Sequence, residues 1–373
     1  MNKIKPKFLL KDQLFNKQKV KYLSKLIKNV FSDFLSEKFE KEILEKFCEL
    51  ELKERIYHIS DILKKYLPDD FEKSVNIMIN SLPEIIENWT LDNNFWDFIF
   101  VPYCDYIRKY WCTKKYLDFS LDSQWKITPY ASAEDSIRYF LNKFEDKSFK
   151  KLLEFSKSKN YYIRRLASEW TRPKLPWCQK IYLDYKKTIV ILDNLYFDKS
   201  RFVTRSVANH LNDISKIDPN LVIDTLKKWK KSNKSKDIDY IISHSTRTLV
   251  KLGDKNTLEF LGYSTNPQIE IKNFNIINPE VIVWKNLELE FEIIWNKKEN
   301  LIIDYKIYFI WKNWKLLPKV FKIKKINFTK NINIFKKHPL KIMTTKKLFE
   351  WIHFVEIQIN WISFWKKEFR LVY

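Results

Sequence analysis

The chain reads as mainly α: a HEAT-like α-solenoid over residues 1–263, followed by a small all-β sandwich over residues 268–373. Three observations predict this. Hydrophobic periodicity is helical, between short breaks, to about residue 262. Related segments recur about forty residues apart, the period of HEAT-like helical pairs. From about residue 268 the texture becomes alternating apolar and polar, as in half-buried antiparallel strands.

Val20 to Val30, Leu50 to Tyr66 and Phe71 to Ile86 carry the helical period early in the chain. Ile163-Arg164-Arg165-Leu166-Ala167-Ser168-Glu169 aligns with Val203-Thr204-Arg205-Ser206-Val207-Ala208-Asn209, and then with Ile242-Ser243-His244-Ser245-Thr246-Arg247. Units of this kind stack into a curved solenoid. In the second unit Val207, Leu211 and Ile214 predict a core face, with Ser206, Asn209, His210 and Asp213 as the opposite polar stripe. The first unit offers Arg165, Ser168, Glu169 and Arg172, ended by Pro173, and the third offers His244, Arg247, Thr248 and Lys251. Leu287 to Ile293 and Tyr305 to Phe309 alternate as strands, and the boundary between the two textures falls near Ser264 to Pro267.

Net charge is +23, from 69 Lys plus Arg against 46 Asp plus Glu, which favours a polyanionic partner. Part of that excess follows from a composition rich in Lys, Asn, Ile, Phe and Tyr. Cys48, Cys104, Cys112 and Cys178 lack C-x-x-C spacing and the five histidines are scattered, so no metal site is expected. The N-terminal apolar stretch Phe8 to Leu10 is too short for a leader or a span, which predicts a cytosolic, reduced protein without a membrane partner.

Glycine occurs twice, at Gly253 and Gly262, while tryptophan occurs fourteen times. The tryptophans stand where turns need positive φ. Asn360-Trp361 separates two short strand patterns, where Asn-Gly is the strong hairpin signal, and Asn313-Trp314 divides two others. The expectation is that many tryptophans are glycine in the natural polypeptide, from a lineage reading UGA as glycine. A genuinely aromatic surface is the alternative.

Three neighbouring stripes rich in Arg, His, Asn and Ser suit a groove for a nucleic-acid backbone, because arginine forks match phosphate and amides fix register. Isolated carboxylates in such a groove would repel phosphate, which makes them candidates for chemistry. The segments Ser132-Ala133-Glu134, Ala167-Ser168-Glu169-Trp170-Thr171-Arg172-Pro173-Lys174-Leu175-Pro176-Trp177, Arg205 to Lys216 (RSVANHLNDISK) and Thr246 to Asp254 (TRTLVKLGD) resemble the AlkC family of DNA alkylation-repair glycosylases. The resemblance covers nearly the whole chain. Trp170, Trp314, Trp351 and Trp361 replace glycines expected from it, whereas Trp177 matches a tryptophan of the family pattern.

The resemblance implies a HEAT-like solenoid with a C-terminal immunoglobulin-like domain, acting on alkylated double-stranded DNA as a monomer in the bacterial cytoplasm, at the nucleoid. It implies excision of cationic N-methylated bases such as 3-methyladenine, without cofactor. A cationic base is already a good leaving group, so the site needs charge stabilisation more than a strong acid. Catalytic candidates are Glu134, Glu169 and Asp213, with Trp177 as an aromatic contact. Three of the four have a structural alternative: a charge at a helix N-terminus for Glu134, a partner for Lys216 or Lys199 for Asp213, packing for Trp177. Candidates for DNA contact are Arg164, Arg165, Arg172, Arg205, Asn209, His210, Arg247 and Lys251, joined in the β-domain by Lys346 and Lys347 after Thr344-Thr345, and by the turn at 313–315. A non-catalytic HEAT scaffold for nucleic acid, or a protein-interaction solenoid, would fit the same fold class.

Overall fold

The computed structural model describes residues 9–84, 98–232, 236–310, 315–328, 330–341 and 348–373. The chain packs as two compact units: residues 1–218 with 225–245, and residues 219–224 with 246–373. The change from helix to strand itself falls between Phe260 and Ile269.

The helices are α1 (Leu10–Leu14), α2 (Lys17–Val30), α3 (Ser36–Glu45), α4 (Leu52–Tyr66), α5 (Phe71–Asn80), α6 (Val101–Trp111), α7 (Leu117–Ile127) and α8 (Ser136–Lys143). They continue as α9 (Glu145–Phe155), α10 (Tyr161–Trp170), α11 (Ile189–Leu195), α12 (Arg201–Ile214), α13 (Pro219–Ser232), α14 (Lys236–Ser245), α15 (Arg247–Leu252) and α16 (Lys255–Phe260). Side-chain caps set several starts by satisfying first-turn N–H groups. Asn16 accepts from Lys19 N, Asp70 from Lys73 N and Asn160 from Tyr162 N, while Glu51 and Glu54 form a capping box on α4. The expected third repeat helix is divided. Thr246, at φ −88° and ψ 0°, is a one-residue turn between α14, which ends at Ser245, and α15, which starts at Arg247. Arg247 and Lys251 therefore lie on α15 in the second unit, and His244 on α14 in the first.

The polar stripes are also placed differently from the two-faced reading. α12 packs on α10 along one side and on α14 along another. Ten of its fourteen residues are buried, among them Ser206, His210 and Asp213 beside Val203, Val207, Leu211 and Ile214. On α10, Arg165, Ser168 and Glu169 are buried as well. The two polar stripes face each other and form a buried polar seam. A helix with neighbours on two sides has no solvent face opposite its apolar one, so polar periodicity here marks inter-helix contact.

The strands are β1 (Ile269–Ile276), β2 (Glu280–Ile282), β3 (Asn286–Trp295), β4 (Leu301–Ile310), β5 (Leu316–Ile326), β6 (Asn331–Pro339), β7 (Trp351–Ile359) and β8 (Ile362–Val372). They form two sheets, ordered β1-β3-β6 and β2-β8-β7-β4-β5, antiparallel except for the β2–β8 pair. Alternate residues Leu287, Leu289, Phe291 and Ile293 of β3 share one core with Ile303, Tyr305, Ile307 and Phe309 of β4. Burial of such rows is the main stabilising term of a sandwich. Asn360 (φ +44°) and Trp361 (φ +73°) join β7 to β8, the left-handed pair that a two-residue type I′ turn demands. Trp284 has φ +78° and Trp177 φ +70°. Trp351 lies in a strand, half-exposed, and Trp314 falls outside the described residues. Trp170 is fully buried, with its ring centre 6.5 Å from that of Phe155 in an edge contact.

Candidate active site

The polar seam is organised by two guanidinium groups. Arg172, just past the end of α10, donates Nη1 to Glu169 Oε1 at 2.5 Å, and Nε and Nη2 to Asp213 Oδ2 at 2.8 and 2.7 Å. One fork thus ties the end of α10 to the last turn of α12. Arg165 donates Nη2 to Glu134 Oε1 at 2.9 Å, and the same nitrogen stands 3.8 Å from Glu169 Oε1. Its guanidinium lies 4.8 Å from the Phe202 ring centre, a stacking that fixes the plane of the fork. Lys216 reaches the second oxygen of Asp213 at 3.1 Å. Glu134, Glu169 and Asp213 therefore meet three cations, and the cluster is neutral at rest.

The three carboxylates are not equivalent. The side chains of Glu169 and Asp213 are 7% and 4% exposed, whereas that of Glu134 is 22% exposed, so Glu134 is the one that solvent or a ligand can approach. Burial pushes the Glu169 pKa up. Arg165 and Arg172, with hydrogen bonds donated by Ser206 (2.6 Å) and Arg172, outweigh it and hold Glu169 below its ordinary value. Burial opposes the charge of Arg172, but Glu169 and Asp213 more than restore it and raise its pKa.

His210, expected at a phosphate, lies in the core instead. Its Nδ1 is 2.9 Å from the Ser168 carbonyl, which can only accept, so Nδ1 carries the proton, and its Nε2 is 3.2 Å from Thr188 Oγ1. Burial, helped by the charge of Arg172, holds its pKa down to about 3. Unfolded histidine titrates near 6.5. The stability due to neutral His210 is therefore complete above about 6.5 and is lost as pH falls toward 3. Between pH 7 and pH 5 the folding free energy should drop by about 2 kcal/mol from this group. Denaturant unfolding should show that slope reduced in His210→Gln.

Other expected contacts are placed as follows. Arg164 pairs with Asp198 and donates to the carbonyls of Ser158 and Lys159, pinning α10 to the turn before α12. Arg205 and Asn209 are half-buried on α12, with Asn209 Oδ1 2.9 Å from His244 Nε2. Lys251 is exposed on α15, and Lys346 and Lys347 lie outside the described residues. Trp177 is 84% exposed at the crest of the loop following α10. Among the described residues no group of His, Cys, Asp and Glu could hold a metal ion, and no helix is long and apolar enough to cross a membrane. The residues that the sequence reading missed are Asp135, Arg138 and Asn142, which hold that loop. Their signal was Arg138 among the apolar positions Ile137, Phe140 and Leu141.

Stacked helices with an arginine-bridged carboxylate cluster, followed in the chain by a two-sheet sandwich, define a helical-repeat protein with a C-terminal β-domain. Residues 104–244 match the family described as DNA alkylation repair enzyme, and residues 270–373 match the C-terminal Ig-like domain of the YhaZ proteins. The chain is 30% identical to the uncharacterised protein YhaZ of Bacillus subtilis (strain 168) over 354 residues, covering 93% of this chain and 95% of that one. It superposes with a TM-score of 0.87 and 25% identity on the Pseudomonas fluorescens alkylpurine DNA glycosylase AlkC, solved bound to DNA containing an abasic site analog, covering 98% and 100% of the two chains. The chain belongs to the same family as YhaZ, and its helical part carries the domain of the DNA alkylation repair enzymes.

Proposed function

We propose that the protein hydrolyses the N-glycosidic bond of cationic N-alkylated purines, of the 3-methyladenine type, in duplex DNA, with Glu134 as the carboxylate that touches the sugar. The observation that carries this is the graded burial of the three carboxylates around Arg165 and Arg172. Glu169 and Asp213 are committed to the arginines. Among the described residues Glu134 pairs with Arg165, and it keeps an open side. As the C1′–N bond breaks, its electron pair returns to the base, which leaves neutral, and positive charge spreads over the sugar. A fixed carboxylate beside that charge stabilises the transition state more than the ground state. Water then bonds to C1′ and gives up a proton, which Glu134 accepts and passes to solvent. Trp177 is supported as a contact to the lesion or its sugar by its exposure, since a ring face attracts a cationic base.

The test is base release from methylated duplex DNA. Free 3-methyladenine and abasic sites at equal yield are expected. Binding to the same DNA without abasic sites would favour the non-catalytic scaffold.

A further inference from the structure

We propose that Arg138 is a positioning residue for excision: from α8 it grips both ends of the loop that carries Trp177, and so keeps the exposed indole and the Arg172 fork in register. This rests on the glycosylase reading above. Arg138 is 1% exposed, in the same face of α8 as Ile137 and Leu141. It donates Nη1 to the Gln179 carbonyl at 2.9 Å and Nη2 to the carbonyl of Arg172, so a single side chain closes residues 172–179 into a ring. Neighbouring groups complete the grip. Gln179 N donates to Asp135 Oδ1 at 2.8 Å, Asn142 Nδ2 donates to the Lys180 carbonyl at 2.9 Å, and Tyr182 N donates to Asn142 Oδ1 at 3.0 Å.

Burying a guanidinium against neutral carbonyls is costly, and a leucine would pack this helix at less expense. The arginine gains its place by what it holds. Trp177 has φ +70°, a conformation that a bulky residue keeps only where its surroundings over-determine it. Arg138 supplies the anchors on either side. Because Arg172 bears both the gripped carbonyl and the fork on Glu169 and Asp213, a slack loop would shift the carboxylate cluster as well.

The full-length chain carrying Arg138→Ala, Arg138→Lys or Asn142→Ala would be compared with the parent in single-turnover base release, affinity for abasic duplex, and amide hydrogen exchange. We expect Arg138→Ala to slow release by about 100-fold, the loss a misplacement near 1 Å can cause, with affinity almost unchanged and faster exchange confined to residues 173–181. Arg138→Lys, able to reach one carbonyl, should recover part of the rate. Unchanged release or unchanged loop exchange would overturn the proposal. If Arg138→Ala fails to fold, Asn142→Ala carries the test with the same readouts and smaller effects. If the parent releases no base, the glycosylase reading falls, and loop exchange alone decides the clamp.

A separate observation concerns the sandwich. We infer that positions 284 and 361 are glycine in the polypeptide as its own cell makes it. Both tryptophans sit at φ above +70° in turns of the β-domain, and Trp361 follows Asn360 as glycine does in a type I′ turn. The Trp361 indole also lies over Gly253, where a Cβ would come within 2.0 Å of Cδ1. Mass spectrometry of the peptide spanning residue 361, from natively produced protein, decides the matter: a glycine mass is expected, and a tryptophan mass would overturn the inference. Trp361→Gly in recombinant protein should also raise the melting temperature.

Discussion

Replacing Glu134 by glutamine is expected to lower single-turnover release of methylated base by about 100- to 1,000-fold, the usual loss when one stabilising group is removed from a developing charge. Affinity for an abasic duplex should stay the same or rise slightly, since a negative charge facing phosphate is gone. This follows from position: Glu134 has the largest exposure of the three carboxylates and keeps the loosest hold on its arginine partner. Equal losses in rate and affinity would remove it from the chemistry and leave it a helix-entry charge. Glutamine retains the acceptor for Arg165, so the arginine need not move.

The second large effect concerns folding. Arg172→Ala should destabilise the protein by about 3–5 kcal/mol, the penalty for leaving buried charges unpaired. Glu169 and Asp213 would face each other with their shared counter-ion removed. The pH dependence identifies the cause. In the parent, Glu169 titrates below its ordinary value, so its stabilising contribution is full above about 4.5 and is lost only as pH falls through the lower, folded value. In the variant, burial is opposed only by Arg165 and the Ser206 hydrogen bond, which shifts Glu169 toward the protonated acid, so stability recovers on acidification. The gap between parent and variant should narrow from pH 7 to pH 5 in denaturant titrations. A small gap that ignores pH would mean that the pairs contribute little.

Much of the fold was legible in local pattern. Helical period and the forty-residue recurrence located the stacked helices, and strict alternation at Leu287 to Ile293 located a strand with one buried side. The candidate carboxylates and arginines were legible as residue types in a long motif, and they do come together. Their environment was not legible. The periodicity of α12 separates apolar from polar residues but does not say that a second helix covers the polar ones, so His210 read as a phosphate contact while it is a core hydrogen-bonding group. The interruption at Thr246 has no strong breaker, since neither Gly nor Pro marks it, and Arg247 was therefore assigned to the wrong helix. Arg138 was passed over because an arginine between apolar residues reads as surface drift until its backbone partners, forty residues away in sequence, are known.

The burial of α12 narrows what any visitor can touch. Its four residues outside the interior are Arg201, Phe202, Arg205 and Asn209, a strip about one side chain wide. Arg201 is already stacked on Tyr240 and Phe202 on Arg165. Asn209 Oδ1 in turn meets His244 Nε2 at 2.9 Å, so a saturation scan of this helix should find scarcely any silent positions.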